Sequence, residues 1–472
     1  MAIPLYLFNF RKQKFLMKQQ KLITIIILLG LIILNIKPGL SQEDGLLNKT
    51  KSQIKLTETK QLFLQGNIKT ALLNYKEIIA LNPSNAKAHF GIARCYYKLH
   101  NYNQSKYHAE IAEKNNPKAD EDLHYLMGEI YFRLGELNKS RNNYEKFISE
   151  INSKQKIKDF SVDLKLNQLA FAEKEMLNMN KEIIISNMGS TLNSKGSDFA
   201  PSLSNNGKYL MFTSRRADTK GGNVDQFFDH QYFSDIYLSK WDSVGRKWLT
   251  PSNKLGRINT DFHDASLSFK ADNSIIIYRN IPYLTRSGDI YEAAYTKSGS
   301  WATPKPILNK DKKISNKINS SYFESSASIT EDESYIYFVS ERPSGLGKTD
   351  IYYVKKTGKT YSEPNHLGDE INTSGDEKCV FIHPSGDLLF FTSNGRKESI
   401  GSYDIYYCTG GHDNWSKPVN LGTPINTHME EKTICVSKDG NTAYVGGYYN
   451  IDNMGDADLY QIDISSLKLI SK

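Results

Sequence analysis

Cysteine is scarce in this chain. The 472 residues include four (Cys95, Cys379, Cys408, Cys435), none in paired spacing. Nothing in that spacing resembles a disulfide framework or a zinc site, and pairing of some of them in a secreted chain is left open. Cys379 and Cys435 fall in matching segments of neighbouring repeats and are expected to be buried free thiols. Acid is missing from residues 1–41, which hold six Lys or Arg. The formal net charge of +8 comes mostly from that segment, because 54 basic residues face 52 acidic ones beyond it. A nucleic-acid protein would show a concentrated basic footprint, so nucleic acid is not an expected partner. A G-x-S-x-G nucleophile in context is missing as well. So is an asymmetric pair of carboxylates, which acid–base cleavage of a glycoside needs. No catalytic residue, metal site or cofactor is therefore nominated, and the chain is not expected to be an enzyme.

The N-terminus reads as an address. Arg11, Lys12, Lys14, Lys18 and Lys21 precede an apolar run from Leu22 to Leu34, and Lys37-Pro-Gly39-Leu-Ser41 follows. A basic head, an apolar centre and a small-residue exit describe a secretory signal over residues 1–41, with Met17 as an alternative start. Periplasmic localisation follows, with outer-membrane association as an extension of it. An uncleaved anchor is the competing reading, but the run falls short of the ~20 residues a span needs. Membrane contact is otherwise expected to be indirect. No Cys stands at the exit to carry a lipid.

Residues 43–180 read as helices in repeat. Gly66, Ala71, Tyr75 and Pro83 are echoed by Tyr96, Ala109, Ala112 and Pro117, then by Gly128, Tyr131, Gly135, Ser140, Tyr144 and Phe147. Small residues (Ala71, Ala93, Gly128) let paired helices approach, and large ones fill the gaps between pairs. This is the tetratricopeptide pattern. Asn82-Pro83 and Asn115-Asn116-Pro117 are stop signals, and Val162 to Met179 reads as a capping helix. Stacked pairs of this kind present a concave groove to a peptide or a partner helix.

Residues 181–468 repeat with a longer period. Asp235-Ile-Tyr recurs at Asp289, Asp350 and Asp404, and as Asp458-Leu-Tyr. Each copy follows a polar turn and an apolar run. Aligned on Gly207, Asn273, Glu333, Gly386 and Gly440, the steps are 66, 60, 53 and 54 residues. Connectors Ile258-Asn-Thr, Ile318-Asn-Ser, Ile371-Asn-Thr and Ile425-Asn-Thr repeat too. Short aromatic and β-branched strands at this period indicate a β-propeller. The last repeat lacks its fourth strand, and an orphan strand, Glu182 to Met188, stands at the front. That strand is expected to complete the last blade, which predicts five blades, with six as the alternative. The whole is a multidomain α+β chain: an N-terminal α-solenoid, then an all-β propeller.

Two sets of residues are candidate binding sites. Nine residues before each alignment point stands a carboxylate (Asp198, Asp264, Glu324, Glu377, Glu431), opening the innermost strand. These five would ring one channel mouth and hold a cation or a basic peptide, or else bond within the blades. The first blade carries an insertion around Phe227, Phe228, His230, Tyr232 and Phe233, beside Arg215 and Arg216. An exposed aromatic loop is a candidate protein contact; the alternative is a loop folded over its own blade. The Asp of each Asp-Ile-Tyr recurs too evenly for catalysis and is expected to bond to backbone.

The order of tetratricopeptide units, the segment "IIISNMGSTLNSKGSDFAPSLSNNGKYLMFTSRR" and the "SKPVNLGTPINT" connector resembles a family of Bacteroidetes cell-envelope proteins. These combine tetratricopeptide repeats with a TolB-like propeller and are linked to type IX secretion and gliding. Fuller members continue into an OmpA-like domain that grips peptidoglycan, which has no counterpart here. The resemblance implies a non-enzymatic envelope scaffold or adaptor with protein partners. A propeller binding carbohydrate or peptidoglycan fragments is the alternative.

Overall fold

The computed structural model describes residues 42–226, 228–280, 288–307, 318–358, 360–412, 414–449 and 451–470. The expected signal, residues 1–41, lies outside them. Among the described residues no helix is long and apolar enough to cross a membrane. The chain divides into two compact units, 1–59 and 60–472. The described part of the first is the opening of helix α1 (Gln42–Leu64). All that follows belongs to the second.

Helices α2 (Ile68–Leu81), α3 (Ala86–Lys98), α4 (Tyr102–Asn115), α5 (Leu123–Arg133) and α6 (Leu137–Glu150) follow, and α2 and α4 stop at the two predicted turn clusters. Asn85 and Asn101 cap α3 and α4 by accepting the N–H of Ala88 and Gln104, which supplies acceptors to otherwise unpaired helix-end donors. The repeat shows in identical links. Ser105 Oγ donates to Ala93 O and Ser140 Oγ to Gly128 O, each at 2.7 Å. A Cβ on Gly128 would stand 2.6 Å from the Tyr144 ring, so the small-against-large pairing is steric. Gly91 against Tyr75 is a second such pair. A short helix α7 (Lys154–Asp159) leads into the capping helix α8 (Val162–Leu177).

The β-region is a ring of five blades. Blade one comprises Asp198–Leu203, Tyr209–Ser214, Asp235–Asp242 and Lys247–Trp248; blades two to four repeat the scheme from His263, Glu324 and Glu377. Blade five joins Glu431–Val436, Thr442–Gly447 and Asp458–Asp463 to the orphan strand Ile184–Asn187. That strand pairs antiparallel with the last, Ile184 opposite Asp463. Closure from both chain ends leaves fewer open sheet edges. The five alignment residues Gly207, Asn273, Glu333, Gly386 and Gly440 all have φ between 58° and 82°. Left-handed backbone explains Gly and Asn there. Glu333 takes the same strain while pairing with Lys270 and Lys356.

The connector Asn is a two-sided clamp. Asn259, Asn319, Asn372, Asn426 and Asn193 each accept the N–H, and donate to the carbonyl, of Ile236, Ile290, Ile351, Ile405 and Leu459. The ten bonds run from 2.7 to 3.0 Å. Each ties a connector to the third strand of a blade.

Solenoid and propeller pack on each other. Ile400 of blade four joins the apolar cluster of Phe132, Tyr144, Phe147, Val162 and Leu169. Gln168 donates to the carbonyls of Asn394 and Arg396, and Thr423 to that of Glu175. His100 bonds the Tyr448 hydroxyl at 2.7 Å. All four cysteines are buried and unpaired.

Candidate functional site

The five strand-opening carboxylates do not line a solvated mouth. Asp198, Asp264, Glu324, Glu377 and Glu431 are all 0% exposed. Each accepts the N–H and the hydroxyl of the residue four positions earlier: Ser194, Thr260, Ser320, Thr373 and Thr427. Ser340 and Ser393 donate further to Glu324 and Glu377 at 2.7 Å. Arginines complete the arrangement: Arg216 reaches Asp198 at 2.7 Å and Arg279 reaches Asp264 at 2.6 Å, while Arg342 lies 3.5 Å from Glu324. The expected acidic ring is thus a set of internal locks, because local donors take up the carboxylates before the channel does.

One blade departs. Arg216, Arg279, Arg342 and Arg396 each donate to a connector carbonyl, of Leu192, Ile258, Ile318 and Ile371. In blade five the Tyr449 hydroxyl does this, to Ile425 O at 2.6 Å. Glu431 is left without that cation, and burial together with Asp404 pushes its carboxyl well above the usual range. Burial also raises Glu377, to about 7, against the pull of Ser393, Thr373 and Arg396.

Four of the five Asp-Ile-Tyr aspartates bond to backbone among the described residues. Asp235 accepts from Lys220 N, Asp350 from Leu346 N, Asp404 from Ile400 N and Gly401 N, and Asp458 from Met454 N. The described part of the first-blade insertion is tied down by its own residues and by the neighbouring blades two and five. Arg215 clasps Asp229 with two bonds and caps the carbonyl of Tyr232. Tyr232 bridges Val224, His230 bonds Gln226 O, and Phe233 packs edge-on against His263. Phe228 stays outward at 38% exposure, and Phe227 lies outside the described residues. Arg216 belongs to the Asp198 lock rather than to this loop.

What varies between blades is the residue after each lock: Phe199, Ala265, Ser325, Lys378 and Lys432, none of them buried. The inner strands pack around the ring in chain order and close from fifth to first, which places these residues about one end of the axis. Lys378 stands 4.0 Å over the Tyr403 ring, and Tyr403 donates to Asp376. Lys432 donates to the Tyr448 hydroxyl at 2.9 Å. Beside them Phe262, Tyr322 and Phe323 stand partly open. These residues were legible only as interruptions of the repeat, a signal the sequence reading did not use. At the other end of the axis, residues after all five inner strands enclose about 30 Å³, room for about one water.

On the solenoid, the second repeat pair closes around its own charge. Glu129 accepts from Tyr97 and Tyr144 and pairs with Arg133 and Lys165. Burial opposes ionisation there, but Lys165 and Arg133 prevail and bring the carboxyl to about 2. That part of the expected groove is filled from within. Leu64, Leu73, Leu81 and Tyr107 remain exposed on the earlier helices. No group of three or more His, Cys, Asp or Glu suited to a metal occurs among the described residues.

Residues 62–107 match the family model described as a tetratricopeptide repeat. The chain is an N-terminal helical region carrying a tetratricopeptide match, followed by a five-bladed propeller, and the two together suggest a protein-interaction module. No curated protein matches it. Among solved structures it is similar to a glycoside hydrolase at 12% identity, over 57% of this chain and 88% of that one, with a TM-score of 0.38. An α-L-arabinofuranosidase from Podospora anserina gives 12%, 59%, 92% and 0.35. The periplasmic gluconolactonase of Pseudomonas aeruginosa gives 10%, 55%, 70% and 0.30. Likeness of this degree says nothing of activity.

Proposed function

We propose that the protein is a non-enzymatic scaffold or adaptor of the cell envelope, exported by its N-terminal segment, that recruits protein partners. The observation that carries this reading is the division between what repeats and what does not. Repeated polar groups turn inward and hold the blades. The outward positions at the channel mouth (Phe199, Ala265, Ser325, Lys378, Lys432) differ in every blade or nearly so. Blade-variable residues on a fixed scaffold suit recognition. Secretion or gliding machinery of the type IX kind is the setting the family resemblance suggests.

The test is affinity capture of the full chain from cross-linked envelopes, beside two surface variants. One is Leu73→Ser with Leu81→Ser and Tyr107→Ala; the other is Lys378→Glu with Tyr322→Ala. A protein captured by the parent and lost from one variant supports the adaptor. Equal capture by all three contradicts the surfaces named. A second reading, a glycan-binding propeller, rests on the partly open aromatics Phe262, Tyr322 and Phe323 at the same mouth. Glycan recovered without a protein would favour it.

A further inference from the structure

Along the stacked helices, one place in the repeat carries opposite charges. Ser105 and Ser140 bond the carbonyls of Ala93 and Gly128, so Arg94 on α3 and Glu129 on α5 stand at the same place, 35 residues apart. Each meets an aromatic residue of the preceding repeat. The Tyr97 hydroxyl donates to Glu129 at 2.8 Å. The Arg94 guanidinium lies 4.2 Å from the centre of the Phe63 ring, with Phe90 of its own helix at 5.6 Å. From there the two diverge. Glu129 is buried and enclosed by Tyr144, Arg133 and Lys165. Arg94 is half-buried, and among the described residues nothing accepts a hydrogen bond from it or pairs with its charge.

The charge around Arg94 is of one sign. Lys87, seven residues earlier, and Lys98, four residues later, fall on the same face of α3 and are exposed. Neither has an acidic partner among the described residues. The acids before and along α5 are taken. Lys60 pairs with Asp120 at 3.8 Å, Lys156 with Glu121 and Asp122 at 2.6 Å each, and Lys165 with Glu129. Stacking on two rings holds the guanidinium, and its N–H donors at the edge stay open to an incoming acceptor. Leu64, one turn after Lys60 on α1 and 59% exposed, offers an apolar contact on the same side. Carboxylate side chains interspersed with apolar ones complement this face. A nucleic-acid backbone needs a longer basic track, and this one ends at Asp120 and Glu129.

We propose that this face of the solenoid, α3 with the end of α1, binds an acidic segment of a protein partner, with Arg94 as the anchor and Lys87 and Lys98 beside it. The proposal rests on the adaptor reading for the partner being a protein, and it adds the chemistry of that partner. The third repeat closes on its own carboxylate, whereas the first two leave a cation for the carboxylates of another chain.

The test is fluorescence anisotropy of three labelled probes titrated with the full chain at low salt. The probes are a short Glu/Leu peptide blocked at both ends, its Gln/Leu counterpart, and an oligothymidylate of similar length. The Glu/Leu peptide is expected to bind, the Gln/Leu peptide at least about tenfold more weakly, and binding to weaken as salt rises. Arg94→Gln is expected to weaken it roughly 10- to 100-fold, and Arg94→Lys less, since the charge is kept and the planar fork is lost. Lys87→Gln, at an exposed position, is expected to cost about two- to fivefold, which keeps the test open if the Arg94 variants fail to fold. Lys247→Gln, exposed on blade one, is expected to leave binding unchanged. Equal binding of both peptides, preference for oligothymidylate, or parent-like binding by a folded Arg94→Gln would overturn the proposal. Absence of peptide binding would overturn it too, while protein capture from envelopes in that case would leave the adaptor reading standing. Peptide binding of the expected pattern with no protein captured would uphold the site and fail the adaptor reading.

Discussion

Replacing Glu377 by Gln separates a structural lock from a binding site by its pH dependence. Glu377 is 0% exposed, and its carboxyl is raised from 4.5 to about 7. Below pH 4.5 it is protonated in folded and unfolded chains alike and has no pH-linked effect. Between 4.5 and 7 the unfolded chain loses this proton while the folded chain keeps it. Stability therefore falls as pH rises through that window and levels off above it. The shift corresponds to about 3 kcal/mol at 1.36 kcal/mol per unit. Gln keeps an acceptor for the Thr373 N–H and a donor for the Thr373 and Ser393 hydroxyls, and it does not titrate. Asp235 and Asp404, each raised to about 6 chiefly by burial, slope the same way in both proteins and cancel in the comparison. Urea unfolding from pH 4.5 to 8 should show Glu377→Gln gaining on the parent by about 3 kcal/mol across the series. Parallel curves, or a loss that grows with pH, would refute the reasoning.

Three other outcomes follow from the packing. Glu129 has the opposite sign: its carboxyl is lowered to about 2, so it stabilises above pH 4.5 and that support is lost as pH falls toward 2. Glu129→Gln should cost about 3–5 kcal/mol at neutral pH and flatten the acid limb of a urea-unfolding series. Gly128→Ala drives a Cβ to 2.6 Å from the Tyr144 ring and should cost about 1–3 kcal/mol, read as a lower melting temperature. Asn426→Ala removes both bonds to the Ile405 backbone. It should cost about 1–3 kcal/mol for each buried group left unpaired, with faster amide exchange at Ile405.

The architecture was readable because both repeats punctuate themselves. Turn residues with positive φ, the connector Asn, and the orphan strand Glu182 to Met188 each carry a local signal that geometry must honour. The candidate site was less legible. Asp198, Asp264, Glu324, Glu377 and Glu431 were correctly grouped, yet their direction depended on donors four residues upstream, Ser194 to Thr427, whose role only the turn geometry discloses. The insertion was legible as a loop, but not that Arg215 would be absorbed by Asp229. Arg94 and Glu129 stand at the same place in successive repeats, and the sequence pattern does not say that one is enclosed and the other open. That difference arises from Tyr144 and Lys165, which α6 and α8 bring against Glu129.

The most direct test of the division between locks and recognition is calorimetric titration of a captured partner into three proteins: the parent, Glu324→Gln with Glu377→Gln, and Lys378→Glu with Tyr322→Ala. The account predicts that the lock variant binds within about twofold of the parent and that the mouth variant loses at least about tenfold, the 1.4 kcal/mol of one charged contact. Loss of binding in a folded lock variant, with the mouth variant unchanged, would contradict it.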